Sequence, residues 1–263
     1  NKSCEDYLFL WWSNDQLYYL PETTNRWKAD QHPLSKADHF LDQFYVLGKW
    51  RYRSELVERS HFLKEKNEAL MEPELLDQIG QYSNIPAVDL YRRKLLESPD
   101  LDEKKFEKLY ATYWKLLDQL SFKDQKISYY YLLNMLIRMA LKGSSHLFVR
   151  VFDLYQQGIE KEWIIHHGRM SDMTYTNIIT LGNSLKKFSF VDDFIQRHSS
   201  LLKTDKQADA QLWARAHWHF NQQHFEQVIE LLWPHKFRIP IFAIQGRSLL
   251  FESYFEAACQ QAS

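Results

Sequence analysis

A chain of 263 residues with 33 basic and 34 acidic side chains, formal net charge −1, has no overall electrostatic footprint for nucleic acid. Seven glycines and seven prolines are too few for a β-rich fold with many tight turns and suit long helices with short connections. Aromatic residues reach 16%, enough to fill the gaps between stacked helices or to supply anchors for a recognition groove.

Ser3-Cys4-Glu5-Asp6 has the form of a capping box, with an acid three residues after Ser. It predicts a helix over 4–19, with a strand hairpin turning at Ser13-Asn14-Asp15 as the competing reading. The polar stretch from Pro21 to Pro33 reads as the longest connection. It suggests a division into residues 1–34, a helix and its linker, and 35–263, a helical array. Ser35-Lys36-Ala37-Asp38 looks like a second capping box, opening a helix to about Lys66 that Gly48 would bend. Pro73 and Pro86 each suit a first helical turn, for helices ending near Tyr82 and Glu97.

Asp100-Leu101-Asp102-Glu103 caps a helix with one apolar face: Phe106, Leu109, Tyr110, Tyr113, Leu117 and Leu120. Ser121 opens the next helix, ended by Gly143. Its middle, Tyr129 to Leu141, is apolar nearly all round but too short to span a membrane, and reads as a buried central helix. Asn134 and Arg138 share one face of it, so Arg138 needs either an internal partner or a ligand at this polar spot. His146 to Gln157 is helical, with Gly158 closing it.

From Ser171 the pattern repeats. Tyr175, Ile178, Leu181 and Gly182 mark one helix and Phe190, Phe194 and Ile195 the next, over 171–200 with Ser189 and Asp192 as caps. Over 204–234, Leu212, Ala216 and Phe220 answer the first helix, and Phe225, Ile229 and Leu232 the second. Phe190 and Phe225 stand 225 − 190 = 35 residues apart. Pro240 opens a last helix to about Cys259.

This spacing resembles the tetratricopeptide repeat, whose usual period is about 34 residues. Phe225-Glu226-Gln227-Val228 matches the start of the family's second helix, with Val for the usual Ala, and Ala216 matches the small residue of its first helix; Gln223 stands where the family has glycine. The resemblance covers 171–263 best. It implies an all-α, right-handed α-solenoid of stacked hairpins whose first helices line a concave groove for a partner peptide or domain.

On that geometry Trp213, His217, Phe220 and Asn221 form one stripe facing the groove, joined by Asn177 and Lys186 from the helix before and Arg247 from the helix after. The competing reading makes Trp213 and Phe220 core residues.

No phosphate-cradling glycine motif, G-x-S-x-G elbow or C-x-x-C pair occurs. His166-His167, His217 with His219, His224 and His235 lack helical metal spacing. The basic residues Arg92-Arg93-Lys94 and Lys104, Lys105 and Lys108 lie among acids and read as solvated helix faces. Arg51 and Arg53 beside Trp50 and Tyr52 sustain a weak RNA-binding alternative.

The expectation is therefore a non-catalytic protein-interaction scaffold with no cofactor, metal or membrane, and no nucleic-acid partner. A peptide-sensing regulatory domain and an RNA-binding repeat are the alternatives. Two cysteines at opposite ends, Cys4 and Cys259, read as free thiols of a cytoplasmic chain. The chain does not begin with Met and reads as a fragment of something longer. Its last helix carries Phe242, Leu249, Leu250, Phe251, Tyr254 and Phe255, which predicts self-association through that helix or cover from further sequence.

Overall fold

The computed structural model describes residues 2–20, 32–63, 82, 84–97 and 102–262. Among them eleven α-helices and no strand occur, so the fold is all-α as expected. The backbone forms two compact units, Asn1–Met139 and Ala140–Ser263. The expected helix from Pro73 falls outside the described residues apart from Tyr82, as does the connection at 21–31.

The first unit holds α1 (Cys4–Tyr18), α2 (Pro33–Leu63), α3 (Pro86–Glu97), α4 (Glu103–Leu116) and all but the last two residues of α5 (Phe122–Leu141). Ser3 forms the capping box: its Oγ accepts from the Asp6 N–H at 3.1 Å, and Asp6 Oδ2 accepts from the Ser3 N–H at 2.6 Å. Ser35 caps nothing. Pro33 takes the first helical position and Lys36 N–H donates to the His32 carbonyl, because a proline fixed at helical φ starts the helix two residues earlier. Gly48 remains helical within α2, its bare Cα turned toward Cys4 of α1. Asp102 caps α4 through the Lys105 N–H, and Phe106, Leu109 and Tyr113 form its buried face.

The second unit holds α6 (Phe148–Glu160), α7 (Asp172–Ser184), α8 (Phe188–His198), α9 (Gln207–Phe220), α10 (Phe225–Leu232) and α11 (Pro240–Ala262). Ser171 caps α7 through the Thr174 N–H. Gly158 does not end α6; it is buried inside the helix, and the chain turns at Glu162, φ 56°. Ser189 and Asp192 do not cap α8, which begins at Phe188 without a side-chain cap. Asp192 instead pairs with Arg215 of α9.

Two turns in this unit have the same construction. Lys186 has φ 57° and its N–H donates to the Asn183 carbonyl, while Lys187 N–H donates to Gly182. Gln223 has φ 65° and donates to Phe220, while His224 donates to His219. Both are Schellman closures, made here without glycine. They set Phe188 against Phe225, Val191 against Val228 and Ile195 against Leu232, a register of 225 − 188 = 37 residues. The spacing of 35 drawn from Phe190 thus compared positions on different faces. At Gly182 a Cβ would come within 2.6 Å of Val191 and 3.2 Å of Phe152, so a side chain there would drive α7 off α8 and α6. The central helix α9 packs against α7, α8, α10 and α11.

Candidate functional site

Residues of the sequence-derived groove separate into three groups. Trp213 is core: it is 4% exposed and packs on Phe242 of α11 and on His217, with ring centroids 6.1 Å and 5.2 Å away. Phe220 joins the cluster of Ala216, Val228, Leu232 and Leu249. Trp213 is no open groove wall, because helices on both sides of α9 cover it, whereas Phe220 is half-buried at the edge of its cluster.

The second group is a polar knot. His217 Nδ1 lies 2.8 Å from Asn183 Nδ2 and 3.3 Å from Asn221 Nδ2. Burial holds the His217 pKa down at about 4, so the ring is neutral near pH 7 and accepts from the two amides. Asn221 also closes α9 through the His217 carbonyl at 2.8 Å. Asn183, 1% exposed, is the member that sequence reasoning missed.

The third group does not converge with these. Asn177 donates to Tyr155 Oη of α6 at 3.3 Å. Lys186 lies beyond the end of α7, exposed on the Schellman turn. Arg247 is exposed on α11 and borders a different feature, a cleft of about 480 Å³.

That cleft is built by the end of α10, the bend between Pro234 and Pro240, and α11. Leu232, Phe237, Ala243, Gly246 and Leu250 line it with apolar surface, and Trp233, His235, Lys236 and Arg247 edge it. Gly246 is required for the shape: a Cβ would sit 2.5 Å from the Phe237 ring, which lies directly on α11. The bend is held by Asp209, a buried carboxylate on α9. Its Oδ2 accepts from the N–H groups of Arg238 and Ile239 at 2.7 and 2.8 Å, and its Oδ1 meets His235 Nε2 at 3.0 Å. Burial would raise the Asp209 pKa, but these bonds outweigh it and hold the carboxyl below its ordinary value. Trp233 stands at the rim, 71% exposed, edge-on to Tyr254.

Lys236 and Arg247 have no hydrogen-bond or ion-pair partner among the described residues, and the lining contains no carboxylate, Ser, Thr or Cys. The arrangement can seat an apolar group on Phe237 and Leu250 while two unneutralised cations meet an anion beside it. The readable signal was the bracket Pro234-His235-Lys236-Phe237-Arg238-Ile239-Pro240. Asp209 was not readable, because the groups it binds lie 26 to 30 residues away.

In the first unit Arg138 reaches an internal partner. Its Nη1 lies 2.9 Å from Glu58 Oε2, and Lys94 Nζ lies 3.2 Å from Glu58 Oε1. Asn134, expected beside it on a buried helix, is exposed. Lys94 is not on a solvated face: it is 2% exposed, donates to the Ser54 carbonyl at 2.8 Å, and lies 3.3 Å from the centroid of the Tyr131 ring. Burial pushes its pKa down to about 8. Arg51, the leading residue of the RNA alternative, is also buried, within 3.9 Å of Asp124 and 3.7 Å of Glu5.

Among the described residues no group of three or more His, Cys, Asp or Glu is placed to hold a metal ion, and no helix is long and apolar enough to cross a membrane. Compared with known proteins, the chain matches no family model, no curated protein and no solved structure.

Proposed function

We propose that this chain is a non-catalytic protein-interaction module, with the hairpins of Ala140–Ser263 stacked as a right-handed α-solenoid similar to tetratricopeptide repeats. Its partner segment is a peptide with an apolar side chain next to an acidic group or chain terminus. The observation that carries this reading is the cleft of α10 and α11, where Arg247 and Lys236 stand unpaired beside an apolar floor. Cations left without partners over apolar surface attract an anion that brings its own apolar anchor. The repeated Schellman turns and the packing of α9 on helices before and after it support the stacked-hairpin part.

Panning a random peptide display library against the chain tests the proposal. The expected consensus pairs Leu, Ile or an aromatic with Asp, Glu or a free C-terminus. Arg247→Glu with Lys236→Glu should weaken the selected peptides at least ~30-fold, as two charge-assisted hydrogen bonds are lost. A basic consensus, no enrichment, or indifference to the double variant rejects the reading.

A further inference from the structure

The longest described helix, α2, carries an exposed apolar stripe. Along α2, Leu34, Leu41, Tyr45, Tyr52, Leu56 and Leu63 are each between 38% and 69% exposed. Their spacings are 7, 4, 7, 4 and 7 residues. At ~100° per residue all six fall within about 60° of arc, so they form one straight row about 44 Å long. An 11-residue apolar period keeps such a row on one side of a helix with little drift.

The row reads the same in both directions. Leu34 and Leu63, Leu41 and Leu56, and Tyr45 and Tyr52 are placed symmetrically about the midpoint between Gly48 and Lys49. Asp38 and Arg59 lie on the same row and about the same midpoint, one acidic and one basic. Both are exposed, and neither has an ion-pair or hydrogen-bond partner among the described residues.

We infer that α2 is a self-association helix that pairs antiparallel with α2 of a second copy, about a twofold axis at that midpoint. In a twofold interface residue i meets residue j and j meets i, so each side must be self-complementary. Antiparallel pairing places Leu34 on Leu63, Leu41 on Leu56 and Tyr45 on Tyr52, and it sets Asp38 against Arg59 twice. Parallel pairing would set Asp38 against Asp38 and Arg59 against Arg59, like charges that repel. Asp42 and Glu55 also fall opposite each other in this register, but both lie about 40° outside the row, and each is held within its own chain, Asp42 by the Tyr82 hydroxyl and Glu55 by the Tyr131 hydroxyl at 2.8 Å. Lys49, beside the axis, lies over its own Tyr45 ring at 5.4 Å. The alternative expected from sequence, association through the last helix, fits less well. An antiparallel pair centred on the exposed Ile244 and Phe251 of α11 would bring Arg247 beside its own copy.

Sedimentation velocity of the full chain between about 1 and 100 µM tests this; an interface of one helix per copy should dissociate on dilution. The mass should rise from monomer to dimer across that range. Tyr52→Glu should weaken the dimer at least ~10-fold and leave thermal unfolding unchanged at the dilute, monomeric end of that range, because this ring is mostly exposed in the single chain. Asp38→Arg should also weaken it, and Asp38→Arg with Arg59→Asp should restore it, since the swap rebuilds both ion pairs only in the antiparallel register. A monomer at every concentration overturns the inference. So does a dimer indifferent to Tyr52→Glu, one abolished instead by Phe251→Glu, or a double swap that recovers nothing.

Discussion

In Asn1–Met139, α2, α3 and α5 meet at buried charges: Lys94 and Arg138 both grip Glu58, and Arg51 lies beside Asp124, which accepts from Tyr91 Oη at 2.6 Å. In Ala140–Ser263 the corresponding junctions are apolar. Val191 sits on Gly182, Trp213 on Phe242, and Val228 and Leu249 on Ala216. Ion pairs of that unit such as Arg215 with Asp192 and Lys206 with Asp172 lie nearer its surface, and its buried carboxylate, Asp209, is spent on backbone N–H groups and His235 at the bend. Each unit is therefore vulnerable in its own way. A buried ion network fails when one partner is removed, whereas an apolar junction fails when volume is removed.

The largest expected effect separates these two modes in the first unit. Glu58→Ala should lower unfolding free energy by about 3–5 kcal/mol, because Lys94 and Arg138 are left without their shared counter-ion. Lys94→Met should cost far less, since a neutral chain of similar length needs no counter-ion. Urea unfolding of both variants checks this. Equal losses would mean that Lys94 matters through its packing on Tyr131 and not through its charge.

A comparable loss, also about 3–5 kcal/mol, is expected for Trp213→Ala in the second unit, for the different reason that a cavity opens between α9 and α11. Raising the salt concentration should leave the Trp213→Ala penalty unchanged. A variant as stable as the parent would return Trp213 to the groove that its sequence spacing suggested.

The smallest effect sharpens the register of the second unit. Lys186→Gly and Gln223→Gly should each stabilise by up to ~1 kcal/mol, because both residues hold a positive φ that glycine adopts without strain. Differential scanning calorimetry should find the two shifts similar in size. Opposite signs would break the equivalence of the two turns and with it the 37-residue register.

The features that could be read from the sequence are those made within one helical turn. Ser3 with Asp6, Asp102 with Lys105 and Ser171 with Thr174 each join atoms three residues apart, and Pro86 and Pro240 open helices because a fixed φ needs no partner. Where local signals competed, the reading failed. Ser35 lost its cap to Pro33 two residues earlier, and Gly158 was drawn into α6 by burial. The apolar row of α2 was present in the residue order, yet its exposure was not, since the same spacing serves equally well for a buried face.

By itself, then, the residue order determined the all-α class, most helix starts and the hairpin pattern after Ser171, all set by backbone bonds and side chains within a few positions of each other. Only the tertiary structure decided which aromatic rings are core, that Lys94 is buried, and that Asp209 holds the bend at His235 across 26 residues. Each of these depends on which helices meet, and a 3.6-residue stripe tells which face of a helix is apolar without telling what covers it.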